Sequence, residues 1–405
     1  MAMTARSPRP GLLVLASTYP RWKGDHEPGF VHELCRRLVE DFDVVALVPD
    51  APGAEADGSL DGVEIVRYHY APRNWQTLVS NGGIVANLRR AKWKWLLLPT
   101  FVLAQFFAAR RLIRKRHVKV IHAHWLLPQG LIAHYLCKRT RIPYVVTSHG
   151  GDLFGLRGHA PTFLKRKVAA DCAAMTVVSS SMRDEAQRLG LHPPRIEVLP
   201  MGVDLRERFA PDSTVPRAES ELLFVGRLVP KKGLQHLLNA LPRMLTGKAR
   251  IRLTIAGFGP EEASLKTRAK QLDVAHTVDF LGPVRQADLP GLYRRASVFV
   301  APFVRDESGD QEGLPVALME AIGCACPVVV GDVAGVHDLL GIDADEIVVN
   351  PADPDALSGA ILAVLDAPER ARSRALALRE RIIDKVDWNV TAARYSQVLR
   401  GVLRQ

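Results

Sequence analysis

Short apolar runs rich in β-branched residues recur along this 405-residue chain, and each is followed by a stretch with helical spacing. The runs comprise residues 12–17, 44–48, 63–68, 118–123, 144–147, 175–179 and 196–199, and then 222–225, 251–256, 278–281, 298–301, 328–330 and 347–349. Repeated alternation of strand and helix predicts an α/β fold, with parallel sheets covered by helices on both faces. Ligands of such sheets bind at the carboxyl ends of strands, so functional residues are expected directly after the runs.

Residues 206–220 interrupt the alternation. This segment is charged, contains Pro211 and Pro216, and has no hydrophobic periodicity. A length of 405 residues also suits two domains, each large enough to bury its own core. The sequence therefore predicts two Rossmann-like domains with a cleft between them, followed by a helical tail after Trp388.

Composition favours an ordinary globular protein, because 47% of the residues are hydrophobic and 24% are charged. The polar first ten residues and the short apolar run at 12–15 do not resemble a secretory signal, so we expect a cytoplasmic protein. Five scattered cysteines argue against a disulfide framework and indicate reduced core thiols. They are Cys35, Cys137, Cys172, Cys324 and Cys326.

The positive charge is concentrated in one segment. Residues 65–151 contain 15 Lys and Arg and no Asp or Glu, whereas the whole chain carries a net charge of +11. Basic clusters at 89–94 and 110–116 flank an apolar stretch, 95–109, that is shorter than the roughly 20 residues of a membrane-spanning helix. Either this segment lies on an anionic membrane surface, with Trp93 and Trp95 at the rim, or it is a buried helix with solvated ends. The chain has no aromatic-interleaved basic motif, so nucleic acid is not an expected partner.

Two cations stand at a predicted helix start in the segment Gly226–Gly233. Arg227 follows a strand and Lys232 opens the next helix, where backbone amides already favour an anion. Arg adds a forked donor and Lys a point charge, which together suit a diphosphate. The alternative is a pair of solvated basic side chains at the protein surface.

A glycine turn follows the strand at 251–256, where Gly257 would allow close approach of a phosphate or a base. Glu262 occupies the third glycine position of the dinucleotide fingerprint, which disfavours a nicotinamide cofactor. The phosphate-binding loop of ATPases is also missing from the sequence.

Two carboxylates, Glu312 and Glu320, are separated by seven residues. Gly313 follows the first, and Pro315 suits the first turn of a helix. Glu312 should therefore lie in the loop before the helix, and Glu320 on the helix itself. Carboxylates bind hydroxyl groups, so a ligand that satisfies both this pair and the two cations is a nucleotide sugar.

A histidine-glycine segment, His149-Gly150-Gly151, follows the strand at 144–147. A histidine there can hydrogen-bond a sugar hydroxyl or a phosphate, or it can simply satisfy a loop carbonyl. His122 and His124 share one face of a predicted strand, but the sequence places no third ligand beside them, so no metal site is expected. The chain also has no nucleophile elbow of the hydrolase type.

Together these residues resemble family 4 of the retaining, nucleotide-sugar-dependent glycosyltransferases, of the type that builds bacterial polysaccharides and related glycans. The resemblance implies the GT-B fold: two Rossmann-like domains facing across a cleft, with the C-terminal helix crossing back to the first. Residues 1–205 would bind the acceptor, residues 206–387 would bind the nucleotide sugar, and residues 388–405 would pack on the first domain.

The resemblance also implies roles for individual residues. Arg227 and Lys232 would hold the diphosphate, Glu312 would face the hydroxyls of the donor sugar, and Glu320 would hold the ribose. His149 would lie near the donor sugar and the developing charge. The remaining residues are Gly313 and Leu314 beside the sugar, Gly257 and Val284 at the nucleotide, and Gly24, Gly29 and Asp152 on the acceptor side or its closing loop. Family members often pair their glycines in that loop, whereas this chain keeps Gly24 and Gly29 apart.

The implied reaction transfers a sugar from a UDP-sugar, or a GDP-sugar, to a glycan or lipid-linked acceptor in exopolysaccharide or related glycan synthesis. It would need no metal or other cofactor and no protein nucleophile. A nucleotide-sugar epimerase or hydrolase, a sugar phosphorylase, and a non-catalytic glycan- or membrane-binding relative are the alternatives. We expect a cytoplasmic enzyme that binds peripherally to the anionic inner face of the plasma membrane.

Overall fold

The computed structural model describes residues 9–25, 29–54, 57–79, 83–247, 250–307, 309–333 and 335–404. Contacts between Cα atoms divide the chain into two compact units. The first unit comprises residues 1–177, 183–199 and 392–405, and the second comprises residues 178–182 and 200–391.

The first unit is built on a sheet with the strand order β3-β4-β2-β1-β5-β6-β7-β8 in the described part of the chain. Its strands are β1 Gly11–Leu15, β2 Asp43–Pro49, β3 Gly58–Leu60, β4 Val63–Tyr68, β5 Val118–His124, β6 Tyr144–Ser148, β7 Ala174–Val177 and β8 Ile196–Val198. Neighbouring strands are parallel, except that β3 pairs antiparallel with β4. All seven apolar runs predicted in this half are strands.

Sequence periodicity missed β3, which has three residues, Gly-Ser-Leu, at the edge of the sheet. Such a short and largely exposed strand has no apolar run to mark it. By contrast, Leu12, Leu13, Val14 and Leu15 of the central strand β1 are all buried. When helices cover both faces of a sheet, the sequence of a central strand is a continuous apolar run.

Helices of the first unit follow its strands. They are α1 Phe30–Leu38, α2 Gly83–Arg90, α3 Leu97–Lys115, α4 Leu131–Thr140, α5 Gly151–Phe154 and α6 His159–Asp171. Helix α7, Ser180–Arg188, contains residues of both units.

Helix α3 continues from the 3-10 turn Lys92–Leu96. The combined segment Lys92–Lys115 is the one candidate among the described residues that is long and apolar enough to cross a membrane, by length and composition only. It is longer than the 15-residue apolar stretch that the sequence suggested. One face of α3 is nevertheless buried, through Leu97, Phe101, Gln105 and Ala109.

The second unit has a parallel sheet with the order β11-β10-β9-β12-β13-β14 over the residues the structure describes. Its strands are β9 Glu221–Val225, β10 Arg252–Ala256, β11 Val278–Gly282, β12 Val298–Ala301, β13 Val328–Gly331 and β14 Val348–Val349. They coincide with the six runs predicted for this half. The prediction of parallel α/β sheets is confirmed in both units.

Helices of the second unit pack on both faces of its sheet. They are α8 Leu234–Gly247, α9 Glu262–Gln271, α10 Leu289–Arg295, α11 Val316–Gly323, α12 Val336–Leu340, α13 Ala344–Ile347, α14 Pro354–Asp366 and α15 Pro368–Val386. The last helix, α16 Trp388–Val402, begins in residues of the second unit and ends in residues of the first.

Leucines at helical spacing anchor α8. Leu234, Leu237, Leu238 and Leu241 are all buried in one core cluster. Residues three and four apart lie on the same side of a helix, so this face packs against the sheet. The packing fixes the start of α8 beside the end of β9, where the predicted cations lie.

Candidate active site

The strand ends of β9 and β12 meet at one edge of the second sheet. The two strands are parallel neighbours, so the residues that follow them lie side by side. The segment after β9 contains Arg227 and the 3-10 turn Pro230–Lys232, while Glu312 belongs to the segment after β12. A backbone hydrogen bond of 3.0 Å from Val304 N to Lys231 O joins the two segments.

Glu312 lies between two lysines. Its Oε2 is 3.3 Å from Lys232 Nζ, and its Oε1 is 3.4 Å from Lys231 Nζ. Burial acts to raise the pKa of Glu312, but Lys232, Lys231 and Arg227 outweigh it and lower the pKa to about 2. Glu312 is therefore ionised throughout the physiological range.

Lys231 has a second carboxylate partner. Its Nζ lies 3.3 Å from Oδ2 of Asp310, in the same loop as Glu312. Burial acts to lower the pKa of Lys231, but Glu312 and Asp310 raise it above its usual value. The only local sign of this contact is that Lys231 is adjacent to Lys232 in the sequence.

The ammonium of Lys232 lies 4.5 Å from the centroid of the Phe303 ring. Gly233, directly after it, has φ +66°, and a Cβ there would lie 1.8 Å from the carbonyl oxygen of Pro302. Only glycine allows this approach and this backbone conformation. Gly233 thus lets the turn with both lysines contact the segment after β12.

Gly257 also allows two backbones to approach. A Cβ at this residue would lie 1.9 Å from Gly226 O, and its own N donates to Gly282 O at 2.8 Å. The turns after β9, β10 and β11 are therefore adjacent. Arg227 and Val284 belong to the first and third of these turns, and Val284 is partly buried against the core.

Glu320 lies on α11, as predicted, and is only 4% exposed. Its carboxylate accepts hydrogen bonds from Gln286 Nε2 at 2.5 Å and from the Tyr293 hydroxyl at 2.9 Å. Burial raises the pKa of Glu320 to about 7, although both donors oppose the shift. Gln286 and Tyr293 were missed, because no local pattern links them to Glu320.

Gly313 and Leu314 connect Glu312 to α11. The carbonyl of Gly313 is closely approached by Gly335, where a Cβ would lie 2.1 Å from that oxygen. Leu314 is partly buried against the core of the second unit. The loop is thus packed in position just before the helix start.

In the first unit, His149 directly follows β6. Its Nε2 lies 2.9 Å from Nδ1 of His124 on β5, and the two rings are nearly parallel with centroids 5.2 Å apart. Burial lowers the pKa of His149 to about 3 and that of His124 well below its usual value. Both rings are therefore neutral near pH 7.

Asp152 holds the loop that contains His149. Its carboxylate accepts from Leu126 N at 2.7 Å, from Ser148 Oγ at 3.0 Å and from His149 N at 3.1 Å. The residue is almost fully buried. Its oxygens thus organise the backbone around His149, and its place on the acceptor side stays a prediction.

The expected closing loop is only partly described, because residues 26–28 lie outside the described residues. Gly24 has φ +82°, and Gly29 immediately precedes α1. Phe30, the first residue of α1, has its ring centroid 5.0 Å from that of His149. The end of this loop therefore reaches the His149 site.

The histidines on β5 share a face, as predicted, with ring centroids 4.3 Å apart. His122 Nε2 is hydrogen-bonded to Thr147 Oγ1 at 2.7 Å. No group of three or more His, Cys, Asp and Glu within the described residues is arranged to hold a metal ion. Independence from metal stays a prediction about the reaction.

Known proteins resemble both halves of this chain. The family model described as Glycosyltransferase Family 4 matches residues 30–207, and the model described as Glycosyl transferases group 1 matches residues 206–381. A GDP-mannose-dependent alpha-(1-6)-phosphatidylinositol monomannoside mannosyltransferase from Mycolicibacterium smegmatis is 29% identical over 317 residues, covering 76% of this chain and 82% of the relative. Glycogen synthase from Mycobacterium tuberculosis is 30% identical over 296 residues, covering 70% of this chain and 69% of the relative.

Solved structures show the same fold. Sucrose-phosphate synthase from Thermosynechococcus elongatus has a TM-score of 0.80 at 20% identity, covering 98% of this chain and all of that chain. HepE from Anabaena in complex with UDP-glucose has a TM-score of 0.71 at 14% identity, covering 96% of this chain and 99% of that chain. The chain is therefore a glycosyltransferase of the GT-B fold and belongs to glycosyltransferase family 4.

Proposed function

We propose that this glycosyltransferase is retaining and moves a sugar from a nucleoside-diphosphate sugar to a glycan or lipid-linked acceptor. The observation that carries the proposal is the partly buried contact of Glu312 with Lys231 and Lys232 at the end of β9. It combines cations for a departing diphosphate with a carboxylate for sugar hydroxyls in one place. The expected division into an acceptor-binding region, 1–205, and a donor-binding region, 206–387, is part of this proposal.

Arg227 and Lys232 would stabilise the diphosphate as the sugar leaves. Negative charge develops on the leaving oxygen, and preorganised cations at that position lower the barrier. Glu312, ionised because its pKa is about 2, would accept hydrogen bonds from the sugar hydroxyls. Glu320 has one oxygen on Gln286 and the other on Tyr293, and its remaining lone pairs suit the ribose hydroxyls.

The neutral imidazole of His149 would hydrogen-bond the donor sugar. Acceptor attack would occur on the face that the diphosphate leaves, which preserves the anomeric configuration. Both oxygens of Glu312 lie beside lysine ammonium groups, which disfavours a covalent sugar intermediate on this residue. Proton NMR of the first product tests retention, because an inverted anomeric signal would contradict it.

Donor identity is the first experimental question. The M. smegmatis relative is named as GDP-mannose-dependent, and HepE has been solved with UDP-glucose. We propose a UDP- or GDP-sugar and would test GDP-mannose and UDP-glucose first. In thermal denaturation, the correct nucleotide at 100 times its Kd should add about 2.7 kcal/mol of stability.

Turnover products then separate transfer from related reactions. A transferase forms a new glycoside only when an acceptor is present. A hydrolase releases free sugar without one, an epimerase returns a changed nucleotide sugar, and a phosphorylase requires phosphate. The Lys232→Ala variant is the matched control, and its background rate should be subtracted. A nucleotide-sugar panel that produces neither binding nor glycoside would contradict the proposed function.

A second proposal concerns the membrane. Leu96 is 77% exposed, and Leu103 and Phe107 on the outward face of α3 are also more than half exposed. Trp75, Trp93 and Trp95 extend this apolar surface, and the Trp75 and Trp93 rings pack edge to face with centroids 6.2 Å apart. We call these six residues the α3 apolar face.

Exposed basic residues continue from the α3 apolar face. They are Arg111, Arg114, Lys115 and Arg116 at the C-terminal end of the helix. An apolar surface bordered by cations suits the interface of an anionic bilayer. Because the opposite face of α3 packs on the protein, we propose peripheral attachment rather than spanning, with the enzyme on the cytoplasmic face of the plasma membrane.

A further inference from the structure

Lys231 differs from Lys232 in the partners of its ammonium group. Its Nζ lies 3.3 Å from Asp310 and 3.4 Å from Glu312, whereas Lys232 Nζ lies 3.3 Å from the other oxygen of Glu312. One lysine could therefore leave Glu312 while the other stays. A donor diphosphate that recruits Lys232 would leave Oε1 of Glu312 still paired with Lys231.

We propose that Lys231, held by Asp310, is a positioning residue that keeps Glu312 oriented and charged while Lys232 binds the donor diphosphate. This inference depends on the proposed function, because it assigns a separate task to each lysine at the same site. It goes further in giving a role to the pair Lys231–Asp310, whose members lie 79 residues apart in the chain.

The backbone around Lys231 supports a fixed position. Val304 N donates to Lys231 O at 3.0 Å, which ties the lysine turn to the segment after β12. Asp310 is held in turn, because its N donates to Asp306 Oδ1 at 2.9 Å and its O accepts from Asp306 N at 2.9 Å. Both ends of the Lys231–Asp310 contact are thus anchored to the backbone.

The charges around Glu312 explain why it needs two cations. Arg227, Lys231 and Lys232 contribute three positive charges, and Asp310 and Glu312 contribute two negative ones. A diphosphate adds further negative charge beside Glu312. Removing one partner of a largely water-shielded ion pair leaves a poorly compensated charge, so a second cation should stay on Glu312 when Lys232 turns to the phosphate. Lys231 is placed to supply it.

The test compares Lys231→Met, Lys231→Arg and Asp310→Asn with Lys232→Ala. Lys266→Met is the matched control, because Lys266 forms an exposed ion pair with Glu262 on α9, away from the site. Each variant is measured for UDP and GDP affinity by calorimetry and for kcat at saturating donor between pH 5 and 8. Circular dichroism and thermal denaturation check folding.

We expect Lys231→Met to bind the nucleoside diphosphate within about threefold of the parent and to lose at least tenfold in kcat. Lys231→Arg should recover most of the loss, because it keeps the charge. Between pH 5 and 8 the parent's kcat should show no acid limb from Glu312, whereas kcat of Lys231→Met should fall towards pH 5, because loss of a cation raises the pKa of Glu312. Asp310→Asn should also lower kcat. The kcat of the double variant Lys231→Met/Asp310→Asn should be only slightly below that of Lys231→Met.

Several results would overturn the inference. A tenfold loss of nucleotide affinity in Lys231→Met, as expected for Lys232→Ala, would make Lys231 a phosphate ligand instead. Unchanged kcat in Lys231→Met, or an equal loss in Lys266→Met, would remove any positioning role. If the parent protein binds no nucleoside diphosphate, the proposed function itself fails, which is a separate outcome from failure of the Lys231 variants.

Discussion

The imidazoles of His124 and His149 share a hydrogen bond of 2.9 Å, with Nδ1 of the first ring facing Nε2 of the second. His149 comes after the end of β6, whereas His124 is fully buried on β5. A hydrogen bond at one ring nitrogen decides which tautomer the other nitrogen presents. His124 is therefore placed to fix the tautomer of His149, and with it whether the other ring nitrogen of His149 donates or accepts a hydrogen bond with a ligand.

We predict that His124→Phe lowers kcat about tenfold, because it leaves Nε2 of His149 without its partner, and tenfold is about 1.4 kcal/mol. His124→Asn should keep most activity, since its side chain can restore a polar atom near the Nδ1 position. The measurement is kcat at saturating donor and its pH profile. His122→Phe is the control, because His122 is equally buried but bonds Thr147. Equal losses in both Phe variants would indicate a general packing defect.

Arg227→Ala and Lys232→Ala should each weaken nucleoside-diphosphate binding and lower kcat/KM at least tenfold. The physical reason is the loss of a cation where the leaving charge develops. Binding is measured by calorimetry with UDP and GDP, and turnover with the corresponding sugars. Arg252→Ala removes a surface arginine paired with Asp279 and should leave both quantities unchanged. Normal turnover in the two site variants would contradict the diphosphate assignment.

Glu320 makes stability depend on pH. Its pKa in the folded protein is about 7, above the unfolded value of about 4.3, so the folded state holds the proton longer. Stability should therefore fall as pH rises from about 4.3 to 7 and then level off. Glu320→Gln removes this dependence, and the new amide can still bond Gln286 and Tyr293.

Chemical denaturation at pH 5 and pH 8 tests this prediction. The free energy of unfolding of Glu320→Gln should exceed that of the parent by up to about 3 kcal/mol at pH 8, and by much less at pH 5. Glu261→Gln is a suitable comparison, because burial also raises the pKa of Glu261, which is less buried and lies outside the site. A pH-independent difference between parent and Glu320→Gln would show that the carboxyl titrates normally.

Transfer should not require a divalent metal. Two basic side chains, Arg227 and Lys232, would replace a divalent ion at the proposed diphosphate site, and both act on Glu312. We expect full activity after dialysis against EDTA, and addition of Mg²⁺ or Mn²⁺ should not change it. Activity that EDTA abolishes and Mn²⁺ restores would contradict this prediction and direct attention to the histidines on β5.

The membrane proposal predicts salt-sensitive binding to anionic vesicles. Each Lys or Arg near the bilayer surface contributes about 1 kcal/mol, and the attraction falls off within about 8 Å at physiological salt. In sedimentation assays the protein should bind vesicles that contain phosphatidylserine, and 0.5 M NaCl should release it. Vesicles of phosphatidylcholine alone should bind little.

Neutral polar replacements separate charge from packing in this assay. The test variant changes Arg110, Arg111, Arg114, Lys115 and Arg116. The control variant removes the same number of charges elsewhere, at Lys266, Lys270, Arg268, Arg372 and Lys385. Only the test variant should stay in the supernatant. Nucleotide binding should be unchanged in both the test and the control variant. No vesicle binding by the parent at low salt would contradict the proposal.

Local patterns in the sequence were sufficient to predict the sheets, and they also suggested candidate site residues. Continuous apolar runs marked every strand except the short edge strand β3, because a strand covered on both faces must be apolar at successive positions. Glu312, Glu320 and Lys232 are predicted site residues because strand ends, glycines and helix starts lie within a few residues of them. These signals depend on neighbours in the chain.

Contacts between distant segments were decided by the tertiary structure alone. Lys231 meets Asp310 across 79 residues, and Glu320 meets Gln286 across 34, so no periodicity could pair them. Asp152 accepts hydrogen bonds from Leu126 N, 26 residues away, and from His149 N, and only the second partner is close in the chain. The residue type shows which groups a side chain can bind. Its actual partner depends on the strand order of the sheet, because that order determines which strand ends become neighbours.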